Sequence, residues 1–178
     1  MAYSTLPTIP LIVFAVIEPA LFLLVIDLHI TNCLCSRVWA WIVCNQDPFN
    51  YYATQVPNHT LNEQDHFPGQ ALALSLQMGN VLLLLAAMAV ICCFSSSPST
   101  AKWYLVAVAF ADYGHIYGAA RGVGPDVFWD PSQWNDMVWG GVAGSAILNL
   151  FRWLTVLGVF GPIGGNAALQ TKSGKKHA

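Results

Sequence analysis

Charge is what this sequence has least of. Of 178 residues, 7 are Lys or Arg and 9 are Asp or Glu, so charged side chains make up 9%, against roughly 25% in an ordinary soluble domain. That scarcity excludes a basic nucleic-acid-binding face, and it excludes a disordered chain, which combines high charge with low hydropathy. Heptads, internal repeats and low-complexity tracts are missing as well, so the chain is neither a coiled coil nor a solenoid. None of the 5 cysteines stands at metal-ligand spacing from another, which predicts no zinc site and no other metal. What the sequence does have is apolar residues, 56% of the total, with a mean hydropathy of +0.52. So few charges cannot cover a water-soluble body of this size. The composition points to an integral membrane protein, with the lipid bilayer as its first partner.

Four apolar stretches stand out: 11–30, 71–93, 103–120 and 137–160. Each is near the ~20 residues that a spanning helix needs. The expected fold is therefore all-α, a four-helix transmembrane bundle in one domain over 1–178. The first stretch lacks the basic n-region and the small-residue cleavage site of a signal peptide, and Glu18-Pro19 interrupts it, so it reads as a retained span.

The connections carry the topology. Residues 31–70 form a long polar loop with Arg37, Asp47, Glu63 and Asp65; residues 121–136 form an acidic loop rich in Trp, Gly and Pro. The 94–102 turn ends in Lys102, and the tail 171–178 carries Lys172, Lys175 and Lys176. By the positive-inside rule the turn and the tail are cytosolic, which places both termini in the cytosol and both acidic loops across the membrane. Two signals agree. Asn58-His59-Thr60 is a glycosylation sequon in the outer loop, and Lys175-Lys176-His177-Ala178 resembles a dilysine retrieval signal of the endoplasmic-reticulum membrane.

Cys33, Cys35 and Cys44 lie at or beyond the outer end of the first span, where Cys33–Cys44 or Cys35–Cys44 is a permitted disulfide. Cys92 and Cys93 lie at the cytosolic end of the second span and read as reduced packing residues or palmitoylation sites.

Ionisable groups at membrane depth are expensive, and each is a functional candidate. Glu18, Asp27, Asp112 and Arg152 qualify, joined by His115, Asn80 and Asn149. Helix rise places Glu18, Asp112 and Arg152 roughly 10–14 Å from the cytosolic ends of their spans, with His115, Asn80 and Asn149 in a layer roughly 17–20 Å deep. Asp112 and His115 share a helix side, and Ser145, Asn149 and Arg152 form one stripe. Gly140 and Gly144 are a small-xxx-small pair that would let another helix approach, while Pro19 frees a carbonyl beside Glu18. Asp27 lies half a turn out of phase with Glu18, near the outer surface. The tryptophans at 39, 41, 103, 129, 134 and 139 suit the interfacial belts, whereas Tyr113 and Tyr117 lie deep enough to line a cavity.

Two carboxylates facing one guanidinium suggest chemistry. Arg152 can hold one acid ionised, while the other, desolvated, keeps its proton. Such a split supplies a proton donor and an electrostatic stabiliser without any cofactor. In an aromatic-walled apolar cavity the donor suits an epoxide, olefin or enol.

Several segments carry a resemblance. Ile17-Glu18-Pro19, Gln77-Met78-Gly79-Asn80, Ala111-Asp112-Tyr113-Gly114-His115-Ile116-Tyr117 and Trp134-Asn135 with Trp139-Gly140 resemble a group of small fungal four-span integral membrane proteins classed as a domain of unknown function. Where that family usually has an Asp and an Asn around its second fourth-span Trp, this chain has Val138 and Gly141, with an acid at Asp136 instead. More loosely, a small helical bundle with intramembrane acids and tryptophans is similar to EXPERA-type sterol isomerases and to membrane-bound terpene cyclases of meroterpenoid pathways. That likeness implies acid catalysis on a lipophilic substrate.

Two functions follow. The first is a cofactor-free isomerase or cyclase of the endoplasmic-reticulum membrane, acting in secondary metabolism on a lipophilic terpenoid, sterol or polyketide. Glu18 or Asp112 would donate the proton, Arg152 would separate the two acids, His115 would relay, and Asn80, Tyr113, Tyr117 and Asn149 would contact substrate. The second is a non-catalytic scaffold or accessory subunit whose intramembrane charges brace the bundle.

Overall fold

The apolar run after Pro68 has no charge and no internal proline, and it forms one uninterrupted helix. In the computed structural model, which describes residues 4–18 and 37–165, every regular element is helical. Pro19, Asp27, Cys33, Cys35 and the tail with Lys172, Lys175 and Lys176 lie outside the described residues.

The elements in chain order begin with α1 (Thr8–Ile12), which continues as a π-helical stretch, Val13–Ile17, up to Glu18. Then come α2 (Arg37–Gln46), α3 (Pro48–Ala53), α4 (Glu63–His66) and the long α5 (Gly69–Cys93). Ser97 caps α6 (Pro98–Val123) by accepting from the Thr100 amide, with Pro98 in the first turn where its missing N–H is not needed. Gly124, at φ 82°, ends that helix and leads to the short α7 (Pro125–Phe128). Asn135 caps α8 (Asp136–Val138), which passes through a π-helical stretch, Trp139–Gly144, into α9 (Ser145–Val156).

The segment read as a long polar loop therefore carries three helices. The first of them, α2, packs along α5 rather than lying outside the bundle. Its contacts show where: the Cys44 thiol donates to the Ser75 carbonyl at 2.7 Å, and Arg37 Nη1 donates to the Leu85 carbonyl at 3.3 Å. Near the other end of α5, the Ser4 hydroxyl donates to the Cys93 carbonyl at 2.5 Å, and the π stretch after α1 packs on the same helix. The two short helices thus take successive lengths of α5 and meet where Glu18 and Arg37 pair. Each is ten residues long, about 15 Å of helix.

Side-chain sizes explain the packing. The buried residues of α5 are small: Ala71, Ser75, Gly79, Ala86, Ala89, Cys92 and Cys93. At Gly79 a Cβ would stand 3.2 Å from Cys44 Sγ, tighter than an ordinary contact, so the glycine eases the close approach of α2. The buried face of α6, Ala101, Tyr104, Leu105, Val108, Ala109 and Asp112, follows the 3.6-residue period, and an acid completes the stripe. Large apolar side chains point outward instead, including Leu74 at 67%, Leu84 at 60%, Ile91 at 64% and Phe110 at 62% exposure. Only 28% of the most apolar stretch of α5, mean hydropathy 2.2, is buried. Among the described residues α5 is the one helix long and apolar enough to cross a membrane; α6 matches it in length but carries Asp112, His115 and several glycines.

The connections gather at two ends. Asn135 Nδ2 donates to the Thr54 carbonyl at 2.8 Å, which ties together the two acidic connections. At the opposite end of α5 and α6, the Gly164 amide donates to the Thr5 carbonyl at 2.7 Å, and Thr5 Oγ1 reaches the Ser95 carbonyl at 3.4 Å.

Candidate functional site

Glu18, Arg37, Asp112 and Arg152 come together as an alternating chain of charges, assembled from α2, α6, α9 and the end of the α1 segment. Arg37 and Arg152 both pair with Glu18 Oε1, each through Nη2. Arg152 Nη1 pairs with Asp112 Oδ2. The cluster is closed: side-chain exposure is 1% for Arg152, 3% for Glu18 and 10% for Asp112.

Neighbours hold each member in place. Asn149, one turn before Arg152 on α9, donates to the Ala109 carbonyl at 2.6 Å and reaches Asp112 Oδ2 at 3.5 Å. Phe14, one turn before Glu18, lays its ring 5.5 Å from the Arg152 guanidinium carbon, a cation–π contact. Arg37 Nη1 also reaches the Tyr104 hydroxyl at 3.4 Å. Two atoms are left over. Glu18 Oε2 and Arg152 Nε are buried with no partner among the described residues.

Three of the four residues expected to be catalytic thus meet, and Asn149 with them. His115 does not join. It is exposed one turn beyond Asp112, and its Nε2 would stand 3.2 Å from a Cβ at Gly141. The close approach of the last helix therefore occurs at Gly141, whereas a Cβ at Gly144 would meet nothing within 4 Å. Asn80 is exposed, and its neighbour Gly79 is the residue that faces inward. Tyr113 and Tyr117 are 50% and 67% exposed. The Tyr113 hydroxyl accepts from Trp153 Nε1 at 3.0 Å, on the outside of the bundle rather than in a cavity. Cys44 is free and buried, and its expected partners Cys33 and Cys35 lie outside the described residues; Cys92 and Cys93 are likewise free and buried, as packing residues would be. Asn58 is exposed in a turn with φ 55°.

The residue that sequence reasoning missed is Arg37. It reads as a loop charge because a polar segment follows it, yet Val38–Cys44 after it is an apolar run that could have marked a packed helix. Its presence changes the chemistry. Two guanidiniums stand beside two carboxylates, so the formal charges balance, where Arg152 alone was expected to serve both acids.

The family described as "Domain of unknown function (DUF7704)" matches residues 34–162. The match includes Arg37, Asp112, Asn149 and Arg152 and begins after Glu18. No curated protein and no solved structure matches the chain.

Proposed function

The chain belongs to the DUF7704 family, and we propose that it is a four-span protein of the endoplasmic-reticulum membrane whose buried charges brace the bundle, serving as a non-catalytic scaffold or accessory subunit. The observation that carries this reading is the charge balance of the quartet, in which each carboxylate has a guanidinium and Arg152 joins the α1 segment to α6 and α9.

Several features support the membrane setting. Along α5 the buried side chains are small and the large apolar ones face outward, as suits a helix packed among others in lipid. The two short helices beside α5 together match the roughly 30 Å of a bilayer's hydrocarbon layer. The Thr54–Asn135 link and the Thr5–Gly164 link separate the connections into the two sets that the charge bias assigns to opposite sides. Exposed Asn58 falls in the outer set.

A second reading, the cofactor-free isomerase or cyclase of a lipophilic substrate, is favoured by one observation: Glu18 keeps an oxygen that no described residue uses. One experiment separates the two. In a deletion strain, Glu18→Gln with Arg37→Met removes a charged pair while keeping the cluster neutral. A brace needs neutrality, so the pair variant should insert and restore the strain's metabolite profile. If it inserts and folds but metabolites stay altered, the brace reading fails and the carboxylate itself is required.

A further inference from the structure

Two amides stand on the outside of α5. Gln77 and Asn80 are exposed, near the middle of a helix that runs Gly69–Cys93 and carries no charged residue. Neither side chain makes a hydrogen bond among the described residues. They are one turn apart and share a side. Steps of four and three residues extend that side to Ala73, Leu84, Ala87 and Ile91, all of them exposed as well. From Ala73 to Ile91 the strip runs about 27 Å, close to the roughly 30 Å of a bilayer's hydrocarbon layer. It is turned away from Gly79, where α2 packs.

Within a bilayer such a position is costly. A carboxamide offers two N–H donors and a carbonyl acceptor, and acyl chains answer none of them. Amides at this depth find their partners on another helix. That helix must present both a donor and an acceptor at the same height. A second copy of the chain does so without any further match, because a carboxamide is complementary to itself. Copies inserted in one orientation are related by a twofold axis along the membrane normal, which sets two α5 helices parallel and brings each residue of the strip opposite its own counterpart. Ala73 and Ala87 keep the flanks small enough for the helices to approach, and the absence of charge on α5 removes repulsion across the axis.

We propose that the Gln77–Asn80 face of α5 is the interface of a homodimer, in which each amide bonds to the same amide of the second copy. The interface rests on the membrane setting inferred above and is independent of the charged quartet.

The test uses the full chain in microsomes and, after purification, in density-matched micelles. Alkaline extraction of the microsomes reports insertion, and sedimentation equilibrium reports mass. The wild type should stay with the membrane and sediment as a dimer. Gln77→Met with Asn80→Leu, which largely keep the volume and remove the amides, should raise the dimer dissociation constant at least about tenfold without lowering the melting temperature of the monomer. Oxidation of the membranes should link Leu84→Cys, on the strip, into dimers above the wild-type level; Met78→Cys, exposed on another side of α5, should stay at that level. A monomeric wild type retained by the membrane overturns the dimer alone, whereas release by alkali overturns the membrane setting with it. Dimers that survive loss of both amides, or Leu84→Cys linked to a different protein, also overturn the proposal. If the double variant fails to fold, the two cysteine variants, which keep both amides, decide by the same criterion.

Discussion

Arg152 is the cation through which the α1 segment, α6 and α9 are joined, and its removal gives the sharpest test of the charge balance. In Arg152→Met the apolar volume is largely kept. Glu18 retains Arg37, but Asp112 is left with only the Asn149 amide, at 3.5 Å. A buried carboxylate stripped of its guanidinium destabilises by about 3–5 kcal/mol. Against a total stability on the order of 5–15 kcal/mol, that is enough to bring the protein near its unfolding threshold. Adding Asp112→Asn removes the stranded charge and leaves Glu18–Arg37 as a neutral pair. The double variant should therefore recover at least about 2 kcal/mol relative to the sum of the two singles. The assay is reversible SDS unfolding of purified protein in mixed micelles, followed by tryptophan fluorescence. Asp136→Asn at the exposed start of α8 serves as a control, because it should add to Arg152→Met without coupling. If the Asp112 and Arg152 effects sum to within about 0.5 kcal/mol, the carboxylate does not depend on the guanidinium, and the argument from charge balance is refuted.

Gly79→Leu should destabilise by about 1–3 kcal/mol through overpacking, since its Cβ alone would stand 3.2 Å from Cys44 Sγ; Cys44→Ala in the same background should recover at least half of that loss on the same unfolding curve. Asp130 accepts from the Gln133 side chain and from the Ser132 hydroxyl and amide, which hold its carboxyl below the ordinary carboxylate range. A depressed folded value means a contribution present above the unfolded value of about 3.9 and lost only as pH falls through the lower folded one. The fluorescence of neighbouring Trp129 and Trp134 should stay constant from pH 8 to pH 5 and change below roughly pH 4. A transition above pH 5, or one surviving in Asp130→Ala, would contradict this. For topology, cysteines introduced at Ser96 and Ser132 should be labelled by maleimide from opposite faces of intact microsomes, and labelling from one face would overturn the assignment.

Much of the site could be read from the sequence because membrane depth makes charge conspicuous. Glu18, Asp112 and Arg152 are rare residues in apolar surroundings, and helix rise alone puts them at a common depth. Asn149 shares a face with Arg152 by simple periodicity. Asn80, Tyr113 and Tyr117 stand exposed, outside the cluster, for the opposite reason. Depth says nothing about rotation, and in a helix as uniformly apolar as α5 no polar face marks which side turns inward. Gly79, the residue that does face inward, shows why: tight packing there selects for smallness, and smallness does not announce a direction.

Composition and spacing by themselves determined that the chain is apolar, helical and poor in charge, because the lengths of apolar runs and the period of the helix are local properties. They also separated the charges of the connections from the buried ones, with Arg37 as the exception. Only the tertiary structure decided the balance of the cluster. Arg37 stands at the start of α2, beside a polar segment, and nothing local tells that its helix folds back along α5 to meet Glu18. Whether a buried acid is left over or paired depends on every cation brought near it. That sum is a property of the packed helices together, and it set a second cation, Arg37, beside Glu18.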